Sequence, residues 1–203
     1  MAAEDFNDPK LQWSKVTEMG SEKDGFTGYA WRRPLSTGSA TSMMMTEMRY
    51  YGVKKEWFLE MMKNGPPTDN VKEMKILKEE NPNDKHLYIR MKMGGFISDR
   101  DNVVRKTVKD IGDGCTLMTV ESADMDVPEV PGVLRMEMFK TMKLRQDPEK
   151  PEDLLVTDYS NFDMKGYFPT RIMNMVIGSL LPKMEKEMRQ KLRGIEQNGG
   201  IMV

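Results

Sequence analysis

One cysteine, Cys115, and one histidine, His86, are all that 203 residues offer of two side chains much used for metal binding and catalysis. A lone cysteine excludes an intramolecular disulfide and every multi-cysteine metal site, and it points to a reducing compartment. A lone histidine leaves no Cys-His or Ser-His-Asp set and no two-histidine metal site, so no catalytic residue and no metal is assigned. Basic excess is missing too. Lysine and arginine number 31 against 32 acidic residues, a net charge of −1 without the footprint that nucleic-acid binding needs. No run approaches the ~20 apolar residues of a membrane span, and the acidic start "MAAEDFNDPK" has no secretion-type apolar stretch. These absences predict a cytoplasmic, monomeric chain without a cofactor. At 203 residues the length fits one domain over 1–203, with its core expected at about 9–194 and a short flexible tail at 195–203.

What the chain has in abundance is methionine, 22 residues spread along its length. Flexible and polarizable, methionine suits irregular cores and equally suits surfaces that adapt to loosely shaped apolar ligands.

Asp8-Pro9 followed by "KLQWSKV" reads as a capped amphipathic helix with Leu11 and Trp13. The stretches 26–34 and 40–51 flank "LSTGS" and predict a hairpin. "VKKEWFLEMMK", residues 53–63, returns to helical spacing and ends at "NGPP". Strands are predicted at 71–78, 85–93, 101–110, 115–122, 133–144 and 154–162. Connections such as "ENPND" and "DIGDG" are too short for crossover helices, so the series is antiparallel. "GDG" at 112–114 has neither the length nor the helix of a phosphate-binding loop and reads as a turn. The polar, proline-rich segment 122–132 is an Ω-type loop.

From Phe168 every fourth residue is apolar: Phe168, Ile172, Val176, Leu180, Met184, Met188 and Leu192, widened by Met173, Ile177 and Leu181. A helix over 169–193 would run about 37 Å, enough to cross a small domain, with a kink at Pro182. Its end carries Lys183, Lys186, Arg189, Lys191 and Arg193, which reads either as a solvated face or as a contact for an anionic membrane.

The order of elements, strands interrupted by a short helix and closed by one long amphipathic helix, describes a sheet that curls around a helix and leaves a cavity. Trp13, "SDRDNVV", "PGVLR" (131–135), "VTDYSNFDMKGYFP" (156–169) and "MNMVIGSLLP" stand in an order and spacing that resemble the START family, the steroidogenic-acute-regulatory-related lipid-transfer domains. The resemblance implies an α+β helix-grip fold, a curved antiparallel sheet wrapped around the C-terminal helix with an internal apolar tunnel. It also implies a non-enzymatic function: one lipid held inside, a phospholipid, sterol or other apolar small molecule, and exchanged through transient contact with membranes. The chain departs from the family where an aromatic commonly follows the Arg-Asp pair; here it is Asn102.

"ISDRDNVVRKTV", 97–108, loads a strand with charge. The resemblance maps cavity-facing basic positions to Arg100 and Lys106, with Asp101 as an internal partner of Arg100 and Arg90 as a further polar candidate. An Arg100–Asp101 ion pair at the strand's edge is the structural alternative. The resemblance also implies Phe168, Ile172, Met173, Val176, Ile177 and Leu180 as the apolar lining and gate. Two other readings stay open. One is a Bet v 1-like enzyme, a cyclase or hydratase, which needs Asp99, Asp101 or His86 turned inward. The other is a chaperone-cofactor or interaction domain with a filled interior.

Overall fold

The computed structural model describes residues 13–34, 42–63, 70–93, 97–166 and 181–199. Alternating apolar and polar residues build strands β1 (Ser14–Ser21), β2 (Phe26–Pro34), β3 (Ser42–Tyr50), β4 (Val71–Asn81) and β5 (Asp84–Met91). They continue as β6 (Arg100–Asp110), β7 (Thr116–Ser122), β8 (Leu134–Arg135), β9 (Glu137–Gln146) and β10 (Leu154–Asp163). Helices α1 (Lys55–Lys63) and α2 (Leu181–Gln197) complete the described residues. The strands form one curved sheet in the order β1-β2-β3-β10-β9-β7-β6-β5-β4, antiparallel except for β8, which lies parallel beside β6.

The register sorts every strand into two faces. Cross-strand neighbours Met48, Val156, Leu144 and Thr116 form one row; Thr46, Asp158, Met142, Met118 and Val108 form the next. These rows face the helices: Met48, Met118, Met142, Leu144 and Val156 share a core with Phe58 and Met61 of α1 and with Met188, Leu192 and Ile195 of α2. Gly28 makes room in that layer, since a Cβ there would lie 2.1 Å from Met48 Sδ. Tyr50 stacks obliquely between Phe26 and Phe58, ring centroids 6.4 and 5.6 Å away, joining sheet to α1. The first turn of α1 is capped from a distance: Gln146 accepts from Lys55 N at 2.7 Å and donates to Val53 O at 3.1 Å.

Three differences from the sequence reading have physical causes. Residues 14–16, expected at the end of a helix, belong to β1, because pairing with β2 from Ser14↔Arg32 to Ser21↔Phe26 outweighs short-range helical spacing. The expected strand 133–144 is divided at Met136. Leu134 and Arg135 take the place beside β6 that β7 has vacated, and the chain then crosses to pair with β7 and β10. The last helix continues beyond Arg193 to Gln197, with Ile195 buried in the core, so the segment expected as a flexible tail is helical at its start. Pro182 is the second residue of α2 as described. The predicted first helix up to Gln12 and the apolar stripe from Phe168 to Leu180 lie outside the described residues.

Candidate functional site

The site follows from the inner face of the sheet. A third row runs Met44, Ser160, Lys140, Val120, Lys106 and Lys85, so three lysines stand on the inner wall: Lys85 is beside Lys106, and Val120 stands between Lys106 and Lys140. Two inter-strand spacings separate them, roughly 10 Å. Lys140 Nζ meets Asp158 Oδ2 at 2.6 Å, and Asp158 Oδ1 is buried without a hydrogen-bond partner among the described residues. Thr46 and Ser160, both buried, flank Asp158. This cluster was missed in the sequence. Its signal was there: in "LLVTDYSNF" the alternation puts Asp158 and Ser160 on the same face as Leu154 and Val156.

Next to it stands a second polar pair. Tyr50, fully buried, donates its hydroxyl hydrogen to Glu185 Oε2 on α2. Burial raises the Glu185 carboxyl to about 7, and the Asp158 charge adds to this; the Tyr50 hydrogen bond and the Lys140 charge oppose it. Burial also raises the Tyr50 hydroxyl well above its ordinary range, with the charges of Glu185 and Asp158 acting in the same sense.

Of the candidates drawn from the sequence, Lys106 belongs to the inner wall. Its ammonium donates to Met62 O at the end of α1, and burial, with the Lys85 charge, lowers it to about 8. Arg100 is 1% exposed and its guanidinium is held by backbone carbonyls: Met164 O at 2.6 Å, Ser98 O at 2.5 Å and Lys165 O at 3.2 Å. Asp101, the next residue, points to the other side of the strand. There it receives both arms of Arg135 at 2.8 and 2.9 Å, so the internal pair is Asp101–Arg135 rather than Asp101–Arg100. Arg135 also donates to Val127 O and Pro128 O, tying the 122–132 loop to β6. Arg90 shares the outer face and meets Asp99 at 3.4 Å, where Lys72 also binds at 2.8 Å. Lys106 and Arg100 therefore lie on the same inner face as Lys140 and Asp158, Lys106 held at Met62 O and Arg100 at its three carbonyls, whereas Asp101 and Arg90 lie on the opposite face. Phe168, Ile172, Met173, Val176, Ile177 and Leu180 lie outside the described residues.

The groups that an acid–base reading requires are placed elsewhere. Asp99 is ion-paired as above, Asp101 is taken by Arg135, and His86 alternates with Leu87 onto the outer face opposite Arg105. On α2 the basic cluster divides. Lys183 and Lys186 are exposed, whereas Arg189 is buried and donates to Gly25 O and Tyr51 O, each at 3.1 Å. Arg193 donates to Asp24 O at 2.9 Å. Arg189, expected on a solvated or membrane-facing surface, instead fastens the helix to the β1–β2 turn and the end of β3.

A curved antiparallel sheet closed against a C-terminal helix defines the helix-grip class. Residues 43–198 match the START domain, and the chain belongs to that family. The mitochondrial steroidogenic acute regulatory protein of Rattus norvegicus is 29% identical over 126 residues, 61% of this chain and 44% of that protein. The Gallus gallus protein of the same name is 27% identical over 135 residues, 65% and 48% respectively. The chain thus spans about half the length of these relatives. In fold it resembles human STARD10, with a TM-score of 0.77 at 15% identity over 96% of this chain and 78% of that one. It also resembles human StAR-related lipid transfer protein 5, with a TM-score of 0.72 at 18% identity over 97% and 91%.

Proposed function

We propose that this START domain holds one lipid against the inner wall of its sheet and exchanges it with membranes. The observation that carries the reading is the wall itself. It is a largely apolar surface facing a docked helix, interrupted by a Lys140–Asp158 pair whose second carboxylate oxygen has no hydrogen-bond partner among the described residues. A filled, purely structural core gains nothing from such a pair, because burying charge is costly unless every oxygen is satisfied. An amphipathic ligand uses both features: its hydrocarbon covers the methionines and valines, and its polar head meets Lys106, Lys140 or Asp158. Phe168, Ile172, Met173, Val176, Ile177 and Leu180 are proposed as the apolar cover. Arg100, Asp101 and Arg90 are proposed to act one step back, by holding the strand ends and the loop that border the wall.

No helix among the described residues is long and apolar enough to cross a membrane. Membrane contact is assigned to the exposed side of α2, where Lys183 and Lys186 attract anionic headgroups. The 122–132 loop, hinged at Arg135, is the part that swings to admit the lipid. The test is to incubate the purified chain with vesicles of phosphatidylcholine, phosphatidylserine and cholesterol, re-isolate it, and identify extracted lipid by mass spectrometry. One lipid per chain is expected. A protein that takes up none from any of these vesicles, although folded, would overturn the reading. Lys186→Glu is expected to slow transfer to the anionic vesicles without changing the lipid held.

A further inference from the structure

Asn102 on β6 is 1% exposed and belongs to the inner wall, opposite Ile89 on β5 and two residues before Val104. A chain of hydrogen bonds with a defined direction orients its amide. The backbone N–H of Met138 donates to Ser122 Oγ at 2.8 Å, and that hydroxyl lies 3.3 Å from Asn102 Oδ1. The serine hydroxyl, which can accept and donate at once, donates its own hydrogen to that amide oxygen. The amide therefore presents oxygen to Ser122. Its Nδ2 is turned away, buried, and without a hydrogen-bond partner among the described residues.

A buried amide N–H without an acceptor is disfavoured, and folded proteins seldom keep one that nothing completes. The surrounding wall supplies hydrocarbon and sulfur: Leu87, Ile89 and Val104, with Met91 and Met138 packed against them. Methionine is unbranched and turns about three bonds, so Met91 and Met138 can move aside for a ligand without disturbing the strands. We infer that Asn102 is a specificity-determining residue of the internal site. Its Nδ2 donates to an uncharged oxygen of the bound lipid, an ester or ketone carbonyl or a hydroxyl oxygen. The inference rests on the lipid-carrying reading and adds the chemistry that one part of the ligand must present. Anionic heads are drawn to Lys106 and Lys140, whereas a cationic group, which has no acceptor to offer, is rejected at Asn102.

The test uses the whole chain, labelled with ¹⁵N and loaded from vesicles of phosphatidylcholine and cholesterol, whose ester carbonyls and hydroxyl both qualify. Mass spectrometry of the extracted lipid tells which of the two is taken. The side-chain amide pair of Asn102, assigned by its disappearance in Asn102→Asp, is expected to move downfield on loading. Asn102→Leu is expected to release the same lipid about tenfold faster, as loss of one neutral hydrogen bond implies. Equal release from wild type and Asn102→Leu, or amide resonances that do not move when lipid is bound, would overturn the assignment and leave lipid carriage standing. Absence of lipid from wild type as well would overturn both. The resonance shift is read on the wild-type protein and stands even if Asn102→Leu fails to fold.

Discussion

Tyr50 on β3 and Glu185 on α2, 135 residues apart, are joined by a buried hydrogen bond in which the phenol donates to the carboxyl. Two of the charges that act on Glu185, those of Asp158 and Lys140, belong to the inner wall, so the last helix is docked beside the polar part of the candidate site. Glu185 has its ordinary value of 4.5 in the unfolded chain and is raised to about 7 when folded. Below pH 4.5 both states hold the proton. Between there and about pH 7 the unfolded chain releases it while the folded protein does not, so this group's contribution to stability falls as pH rises and levels off above 7. The full effect is about 3 kcal/mol. Glu185→Gln, which keeps an oxygen for Tyr50, is expected to match wild type at pH 4 and to exceed it by about 1–3 kcal/mol at pH 8 in urea unfolding. A difference that does not change with pH would show that the carboxyl does not carry this dependence.

Lys106 is a buried cation satisfied by a carbonyl rather than a carboxylate. Lys106→Met, close in shape, is expected to raise stability at pH 7 by about 1–2 kcal/mol, since replacing a buried charge with an apolar side chain of similar volume often stabilises. The same change is expected to reduce binding of phosphatidylserine more than binding of cholesterol. Stability from chemical denaturation and lipid retention from vesicles are read on the same sample. A variant that is less stable and equally retentive would assign Lys106 to the scaffold.

Arg100 gathers the carbonyls of Ser98, Met164 and Lys165, joining the start of β6 to the residues just after β10. Removing the guanidinium strands these acceptors. Arg100→Leu is expected to cost about 3 kcal/mol, and Arg100→Lys, lacking the fork, most of that. Lipid held per folded molecule is expected to stay unchanged. A stable Arg100→Leu protein that had lost only lipid would place the side chain against the ligand.

Gly25 has a φ of +84°, and a Cβ there would lie 2.6 Å from Arg189 Nε, the group that donates to Gly25 O. Gly25→Ala combines left-handed backbone strain with a blocked contact. It is expected to destabilise by about 2 kcal/mol, and amide hydrogen exchange should report faster opening of α2 than of β9 and β10. Uniform acceleration across the sheet would mean that Arg189 does not anchor the helix separately.

Much of this architecture is local in origin and legible in the residues. Alternation marks β2, β3, β5, β6, β7 and β10; the fourfold stripe through Met184, Met188 and Leu192 marks α2; "GDG" marks a tight turn, closed by Cys115 N onto Gly112 O at 2.8 Å. Periodicity of two or of 3.6 is a property of a short stretch, and it survives folding because each element still has one face to bury. What tertiary structure alone decided is the company each charge keeps. Arg100 and Asp101 are adjacent in sequence and face opposite ways; Asp101 finds Arg135 because β8 lies beside β6, and Asp158 finds Lys140 because β10 lies beside β9. β1 became a strand only because β2 was there to pair with it, and Arg189 left the basic surface only because two carbonyls awaited it on the sheet. Such partners depend on strand order and register, where a slip of one residue turns every side chain to the other face, and no local pattern encodes that choice.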